Sequence, residues 1–528
     1  MTANTLAALL RARADDDRPG LLFEDAAWSW RAYVAACRSA GAWLARRGTG
    51  SHVGVLGDNV PGLVFLVGGA ALAGRVVVAL NPTRPPAELA RDARATDVGL
   101  VLFDAPYEGL ARDLGLPARP LSEAASGEPP PDVTPDPGDL VLLIFTSGTS
   151  GRPRAVRVTQ RKLAVPGAGL AAMLTPDDVV YCSMPLFHSA ALMAAYAPAV
   201  ASGAALVLRR RFSASGLLPD LRRYGCTYLH YVGKALSYAL AVPERPDDAD
   251  NPLRIAFGNE GSAVATRRFG ERFGCRVIDA FGSTETALSI RPDPSGPPGS
   301  LGRLPEGVAI LDPSTGRPCP PGRVAAGRLL NPDEAIGELV NTAGHGLFEG
   351  YYNDPEADAE RVRGGAYWSG DLAWQDAEGH VFFAGRGTER LRVDGENLSA
   401  APVEAALREF PGVVEAAVYP VPDAAAGDQV MAALVPAGGF DPEAFAAFLA
   451  ARRDLGAKSL PRYVRLSAGL PQTPSHKVLK RVLAREGWRT GDPVWLRTPA
   501  GLRRLTEADV KDIEEEFVRH GRQHLLET

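Results

Sequence analysis

The sequence predicts an α/β fold: a large N-terminal domain of mixed, mostly parallel sheets with helices, and a small α+β C-terminal domain. Three observations predict it. Short apolar runs alternate with helical patterns through the first third of the chain. An apolar run at 139–145, of buried-strand length, leads directly into a loop of glycines and small hydroxyl residues. After Gly385-Arg386-Gly387 the texture changes to short helices and strands over a block of about 100 residues, enough for a small domain.

Each element has its own local reason. Residues 30–46 read as an amphipathic helix, with Tyr33, Val34, Cys37, Ala40, Gly41 and Leu44 near one face. Val53-Gly54-Val55-Leu56 is a short buried strand. The apolar stretch 60–74, broken by Pro61 and glycines, falls short of the roughly 20 apolar residues of a membrane span, so it is expected as a buried helix. Strands are expected at 75–80, stopped by Asn81-Pro82, and at 98–103. The Pro/Asp-rich segment 128–137 and the Pro/Gly-rich segment 292–305 read as connections. Residues 402–410 and 413–421 read as short elements of the C-terminal block, and 507–520 as a charged helix. The expected boundaries are 1–385 for the large domain, 386–390 for a hinge, 391–490 for the small domain and 491–528 for a tail.

The 528 residues suffice for several domains or one large one with an appendage. Hydrophobic residues at 46% and charged residues at 23% are the balance of an ordinary globular protein. A net charge of −5 is too mild for a nucleic-acid binder. Five cysteines without Cys-x-x-Cys spacing disfavour a zinc module or disulfide framework and fit a reducing cytoplasm. The N-terminus lacks the basic region of a secretory signal. Only six of the 57 basic residues are lysines: Lys162, Lys234, Lys458, Lys477, Lys480 and Lys511. A lysine at a chemically sensitive place is therefore informative here.

The strongest local signal is Thr146-Ser147-Gly148-Thr149-Ser150-Gly151-Arg152-Pro153-Arg154. Glycines and small hydroxyl residues let a backbone fold tightly around an anion, so that N–H groups and hydroxyls converge on phosphate oxygens. No Gly-Lys-Ser/Thr closes the loop, so it is not a Walker sequence.

This loop resembles the signature of the adenylate-forming superfamily, which includes acyl-CoA synthetases, luciferases and peptide-synthetase adenylation domains. Further segments match in order: Met184-Pro185-Leu186-Phe187-His188-Ser189, Ala280-Phe281-Gly282-Ser283-Thr284-Glu285, Tyr367-Trp368-Ser369-Gly370-Asp371, Gly385-Arg386 and Pro471-Gln472-Thr473-Pro474-Ser475-His476-Lys477. Segments 231–238, 254–259, 391–397 and 492–496 narrow the resemblance to the very-long-chain acyl-CoA synthetase and fatty-acid-transport-protein branch, with bacterial fatty-acid-CoA ligases most similar. Three positions depart from the family pattern: Arg154 stands for Lys, Thr388 for Asp or Lys, and His476 for Gly.

The resemblance implies ATP-dependent adenylation of a hydrophobic carboxylic acid, then thioester formation with coenzyme A. ATP, Mg2+ and CoA are the implied cofactors. Acceptors other than CoA, namely a carrier protein or an amine, and nitrite activation that turns an aryl amine into a diazo group, are the alternatives. Lys477 is implied for the first half-reaction, Glu285 for magnesium, and Thr284 for phosphate oxygens. The loop Thr146, Ser147, Gly148, Thr149, Ser150 and Gly151 with Arg154 would hold phosphates. Gly258, Asn259, Glu260, Phe281, Gly282 and Ser283 would frame the nucleotide, with Asp371 on the ribose hydroxyls and Arg386 on ribose or phosphate. Phe187, His188, Tyr231 and Gly233 would line the acid pocket, and Gly395 the CoA channel. Rotation of a mobile small domain about 387–389 is also implied. Read from residue type alone, Thr284-Glu285 would be a helix N-terminus, Asp371 a turn aspartate at a strand-to-loop point, and His188 a core histidine.

Overall fold

A computed structural model describes residues 4–47, 51–127, 133–146, 153–233, 235–261, 263–325, 328–386, 390–393, 396–425, 427–452, 454–455, 457–473 and 478–526. The chain divides into two compact units. One holds Met1–Gly261, Ala265–Ser289 and Gly344–Gly365; the other holds Ser262–Val264, Ile290–Ala343 and Ala366–Thr528.

The first unit is built on two sheets. The six-stranded sheet runs Ala118–Pro120, Val98–Phe103, His52–Leu56, Val77–Ala79, Leu140–Thr146 and Arg154–Thr159, in that spatial order. All its pairs are parallel except the last, where Leu140–Thr146 turns back on Arg154–Thr159. The seven-stranded sheet runs Arg276–Asp279, Ile255–Asn259, Tyr228–Val232, Val179–Cys182, Ala205–Leu208, Pro19–Phe23 and Ala26–Ser29. It is parallel up to its closing hairpin. Parallel strands must be covered on both faces, which explains their unbroken apolar runs.

Two helices cover these sheets for sequence-readable reasons. Trp30–Ala45 starts where the Ser29 side chain accepts the Ala32 N–H, and buries Tyr33, Val34, Cys37, Ala40 and Leu44. Pro61–Ala73 begins with proline in its first turn and ends at left-handed Gly74. Its apolar residues are buried nearly all round, as the sequence pattern requires. Among the described residues no helix is long and apolar enough to cross a membrane.

The second unit carries two larger sheets and, among the described residues, two two-stranded ones. Ser300–Arg303, His380–Arg386, Ala366–Gln375, Gly337–Asn341 and Val308–Leu311 form an antiparallel one. Val413–Pro422, Asp428–Pro436, Tyr463–Leu466, Val494–Thr498 and Gly501–Arg504 form a mostly antiparallel one with a single parallel pair. Ala400–Leu407, Pro442–Ala451 and Glu507–Arg519 are its longer helices; Thr506 and Asp509 close a reciprocal capping box on the last.

Two local expectations are corrected. Residues 292–305 are not merely a connection, because Ser300–Arg303 joins a sheet. Asp371 is not at a strand-to-loop point but inside the strand Ala366–Gln375. The preceding Gly370 has φ 77, a conformation that distorts the strand there without ending it.

Candidate active site

In an open parallel sheet, ligands bind beyond the carboxyl ends of the strands. Four neighbouring strands of the seven-stranded sheet end together. Val179–Cys182 leads to Phe187 and His188, Tyr228–Val232 to Gly233, Ile255–Asn259 to Glu260, and Arg276–Asp279 to the 280–285 segment. Gly233 N–H donates to Asn259 O at 2.8 Å, and Ala280 N–H to Gly258 O at 2.8 Å, so these exits are tied side by side.

Gly258 has a packing role at this edge. A Cβ there would stand 2.2 Å from Tyr231 O and 2.7 Å from its ring. Tyr231 is buried, and its hydroxyl donates to Asp279 Oδ2 at 2.6 Å. Gly261 N–H donates to the same oxygen at 2.7 Å. Burial still pushes the Asp279 carboxyl up to about 6, against the pull of those two donors. Tyr231 is thus engaged with a buried carboxyl rather than presented as an open wall.

The Thr284-Glu285 segment is a turn, not a helix N-terminus, which corrects the capping expectation. Other residues fix it. The Ser189 and Thr284 hydroxyls lie 2.7 Å apart and share a hydrogen bond. Thr286 adopts φ 56, and its carbonyl accepts the Leu347 N–H at 3.1 Å. Glu260 is also left-handed, at φ 62. Such conformations in side-chain-bearing residues persist only where surroundings over-determine them, and they gather at functional sites. Tyr351 donates its hydroxyl to Glu285 Oε1 at 2.9 Å.

Phe187 and His188 follow a segment pinned by Asn59. Its Oδ1 accepts the Leu186 N–H at 2.8 Å, and its Nδ2 donates to Met184 O at 2.8 Å and Arg209 O at 3.1 Å. The Phe187 and His188 rings pack at 4.8 Å, His188 half-buried. Beneath Phe187 lies a small apolar cavity lined by Leu63, Val67, Val77, Ala79 and Leu142.

Arg154 is 6% exposed, ion-paired with Glu360, with its guanidinium over the Tyr351 ring at 5.4 Å. Lys162 is fully buried on the helix Gln160–Ala171 and donates to Arg157 O at 3.3 Å. Burial pulls its ammonium down to about 8, while Glu285 and Glu349 oppose the change. Phe281 and Ser283 are half-buried and Gly282 exposed.

In the second unit Asp371 is 6% exposed and opposite Arg386 in the strand register. The Gly370 N–H donates to Glu338 Oε1 at 2.7 Å, and the Asp371 N–H to Ser369 Oγ at 3.1 Å. Ser147, Gly148, Thr149, Ser150, Gly151, Gly395 and Lys477 lie outside the described residues, as do 387–389 and His476. Thr146 is the last residue of the strand Leu140–Thr146.

Sequence reasoning missed Tyr351, Asn59, Asp279 and Lys162. Only Lys162 had a signal, as a lysine in a chain that otherwise uses arginine.

Among the described residues no three His, Cys, Asp or Glu side chains cluster as a metal cage. The donor set at Glu285, one carboxylate beside hydroxyls, suits a magnesium ion that takes most of its oxygen ligands from phosphates and water.

The chain matches the family model of AMP-binding enzymes over residues 10–352 and that of the AMP-binding enzyme C-terminal domain over residues 402–477. A medium/long-chain-fatty-acid–CoA ligase of Mycobacterium tuberculosis is 48% identical over 507 residues, 94% of this chain and 99% of the relative. A steroid-22-oyl-CoA synthetase of Rhodococcus jostii is 46% identical, covering 99% of both chains. The solved structure of an ATP-bound RpMatB–BxBclM chimera superposes with a TM-score of 0.79 at 25% identity, covering 92% of this chain and 98% of that one. With a strand-end site of this kind and a family match through most of its length, the chain belongs to the AMP-binding enzymes.

Proposed function

We propose that this protein is an AMP-forming acid–CoA ligase acting on a hydrophobic carboxylic acid of the fatty or steroid-side-chain class. The observation that carries the reading is full-length similarity to two CoA-ester-forming enzymes, together with Thr284 and Glu285 fixed at the strand ends. In the first half-reaction a carboxylate oxygen of the acid bonds to the α-phosphorus of ATP, and pyrophosphate leaves. In the second, the CoA thiolate bonds to the acyl carbon, and AMP leaves with the carboxylate oxygen.

Both halves gather negative charge on oxygens, so the residues' task is to hold donors and cations in place beforehand. Glu285 would hold Mg2+, which supplies charge neutralisation on the phosphates. The Thr284 hydroxyl, oriented by Ser189, would donate to a phosphate oxygen. Asp371 would accept from the ribose hydroxyls, and Lys477 would offset charge between carboxylate and α-phosphate. Phe187 and His188 would stand at the acid. Gly258, Asn259 and Glu260 would border the adenine. The hinge at 386–390 would let the small domain, 391–490, serve the two halves in turn, with Gly395 at the CoA channel. Five free cysteines, three of them buried, are compatible with a reducing cytoplasm.

A panel of acids tests this, each incubated with ATP and with CoA, an amine or nitrite plus an aryl amine, and read by mass spectrometry. The reading requires an acyl-CoA and AMP from at least one fatty or steroid acid. Diazo or amide products without any acyl-CoA would overturn it. Within that assay Lys477→Ala should impair adenylate formation far more than thioester formation from supplied adenylate; equal losses would remove the role given to Lys477.

A further inference from the structure

Glu285 sits on a turn, where no helix orients its side chain. A glutamate carboxylate on a free stem samples many rotamers, and ordering it costs binding free energy. Magnesium demands near-ideal octahedral geometry, so a carboxylate aimed in advance binds it better than a mobile one.

The structure supplies the aiming device. Tyr351, 4% exposed, donates to Glu285 Oε1 at 2.9 Å. The tyrosine is itself held from every side. Its backbone bridges to Val156, and its N–H donates to Asp358 Oδ1 at 2.7 Å. The Phe348 ring meets its ring edge-on at 5.1 Å, and the Arg154 guanidinium lies over it at 5.4 Å. Arg154 is anchored in turn by Glu360. The neighbouring Tyr352 N–H donates to Ala155 O at 2.8 Å, so the segment runs as an added rung beside the strand Arg154–Thr159.

We propose that Tyr351 is a positioning residue for the divalent cation: its hydroxyl occupies Glu285 Oε1 and leaves Oε2 as the oxygen offered to Mg2+. Arg154, the first residue of the strand Arg154–Thr159, lies over the tyrosine ring and holds it in place. This rests on the reading of Glu285 as the magnesium carboxylate.

The test is Tyr351→Phe, which keeps the ring, its packing and the cation–π contact while deleting the hydroxyl. The half-saturating concentration of free Mg2+, at saturating ATP and acid, should rise about 10- to 150-fold, the loss of one hydrogen bond to a charged group. Activity at saturating Mg2+ should recover to within about twofold, since only the pre-ordering is lost. Glu285→Gln and the double variant run alongside, with Mg-ATP binding followed by calorimetry. Removing the hydroxyl should have no further effect once the carboxylate is gone. An unchanged Mg2+ requirement in Tyr351→Phe, an equal shift in the Glu285→Gln background, or unfolding of Tyr351→Phe would each overturn the proposal. Wild-type Mg2+ dependence in Glu285→Gln would instead overturn the reading of Glu285 itself.

Discussion

Lys162→Met removes a buried charge and keeps most of the side-chain volume. The wild-type ammonium ordinarily titrates near 10.5, and burial brings it to about 8. At ~1.36 kcal/mol per pH unit, that gap is worth about 3 kcal/mol against the charged form. For a base whose folded value is depressed, the unfolded chain binds the extra proton between pH 8 and 10.5. The cost is therefore complete below pH 8, and stability contributed at this site rises as pH climbs to 10.5. The buried thiols act the other way. Cys37 and Cys182 are pushed up to about 12 from 9, so they lower stability as pH rises above 9. Only the difference between variant and wild type isolates the lysine. Scanning calorimetry from pH 7 to 10 should show Lys162→Met more stable at pH 7 by up to about 3 kcal/mol, a few degrees in a unit of this size. That advantage should shrink steadily above pH 8. A constant offset at every pH, or a variant less stable at pH 7, would refute the argument.

Three further outcomes follow from the packing. Gly258→Ala should cost several kcal/mol, about 3 or more, because its Cβ would collide with the Tyr231 backbone and ring; soluble yield and melting temperature check this, and a wild-type melting point would contradict it. Asn59→Ala strands the Leu186 N–H and two carbonyls, at about 1–3 kcal/mol for each buried group left unpaired, and by loosening the Phe187–His188 segment should raise KM for the acid more than KM for ATP. Asp279 is an acid with a raised folded value, so its unfolded form deprotonates first and wild-type stability should fall from pH 4 to 6 through this group. Asp279→Asn, with its amide oxygen in the place of Oδ2, should keep both donors and lose that dependence; thermal melts across the window read it.

The parallel core was legible because buried strands and helices announce themselves by apolar period and by proline and glycine punctuation. Val98–Phe103 lies where its run places it, and the apolar stretch after Val60 becomes the helix Pro61–Ala73. Thr284 and Glu285 were legible as a motif, but the device that holds them was not. Tyr351 meets Glu285 across 66 residues, and no local pattern encodes a pairing of that range. The turn at Thr284 resembled a helix start because Ser, Thr and Glu favour helix N-termini, a preference that the left-handed Thr286 overrides. Asp371 looked like a turn residue because glycine precedes it; Gly370 instead adopts its positive φ within a continuous strand.

The most direct test of the central claim follows one oxygen. An acid labelled with 18O in its carboxylate, turned over with Mg-ATP and CoA, should deliver one labelled oxygen to the phosphate of AMP, with none in pyrophosphate. Label in inorganic phosphate, or unlabelled AMP beside labelled acyl-CoA, would contradict an acyl-adenylate on this protein.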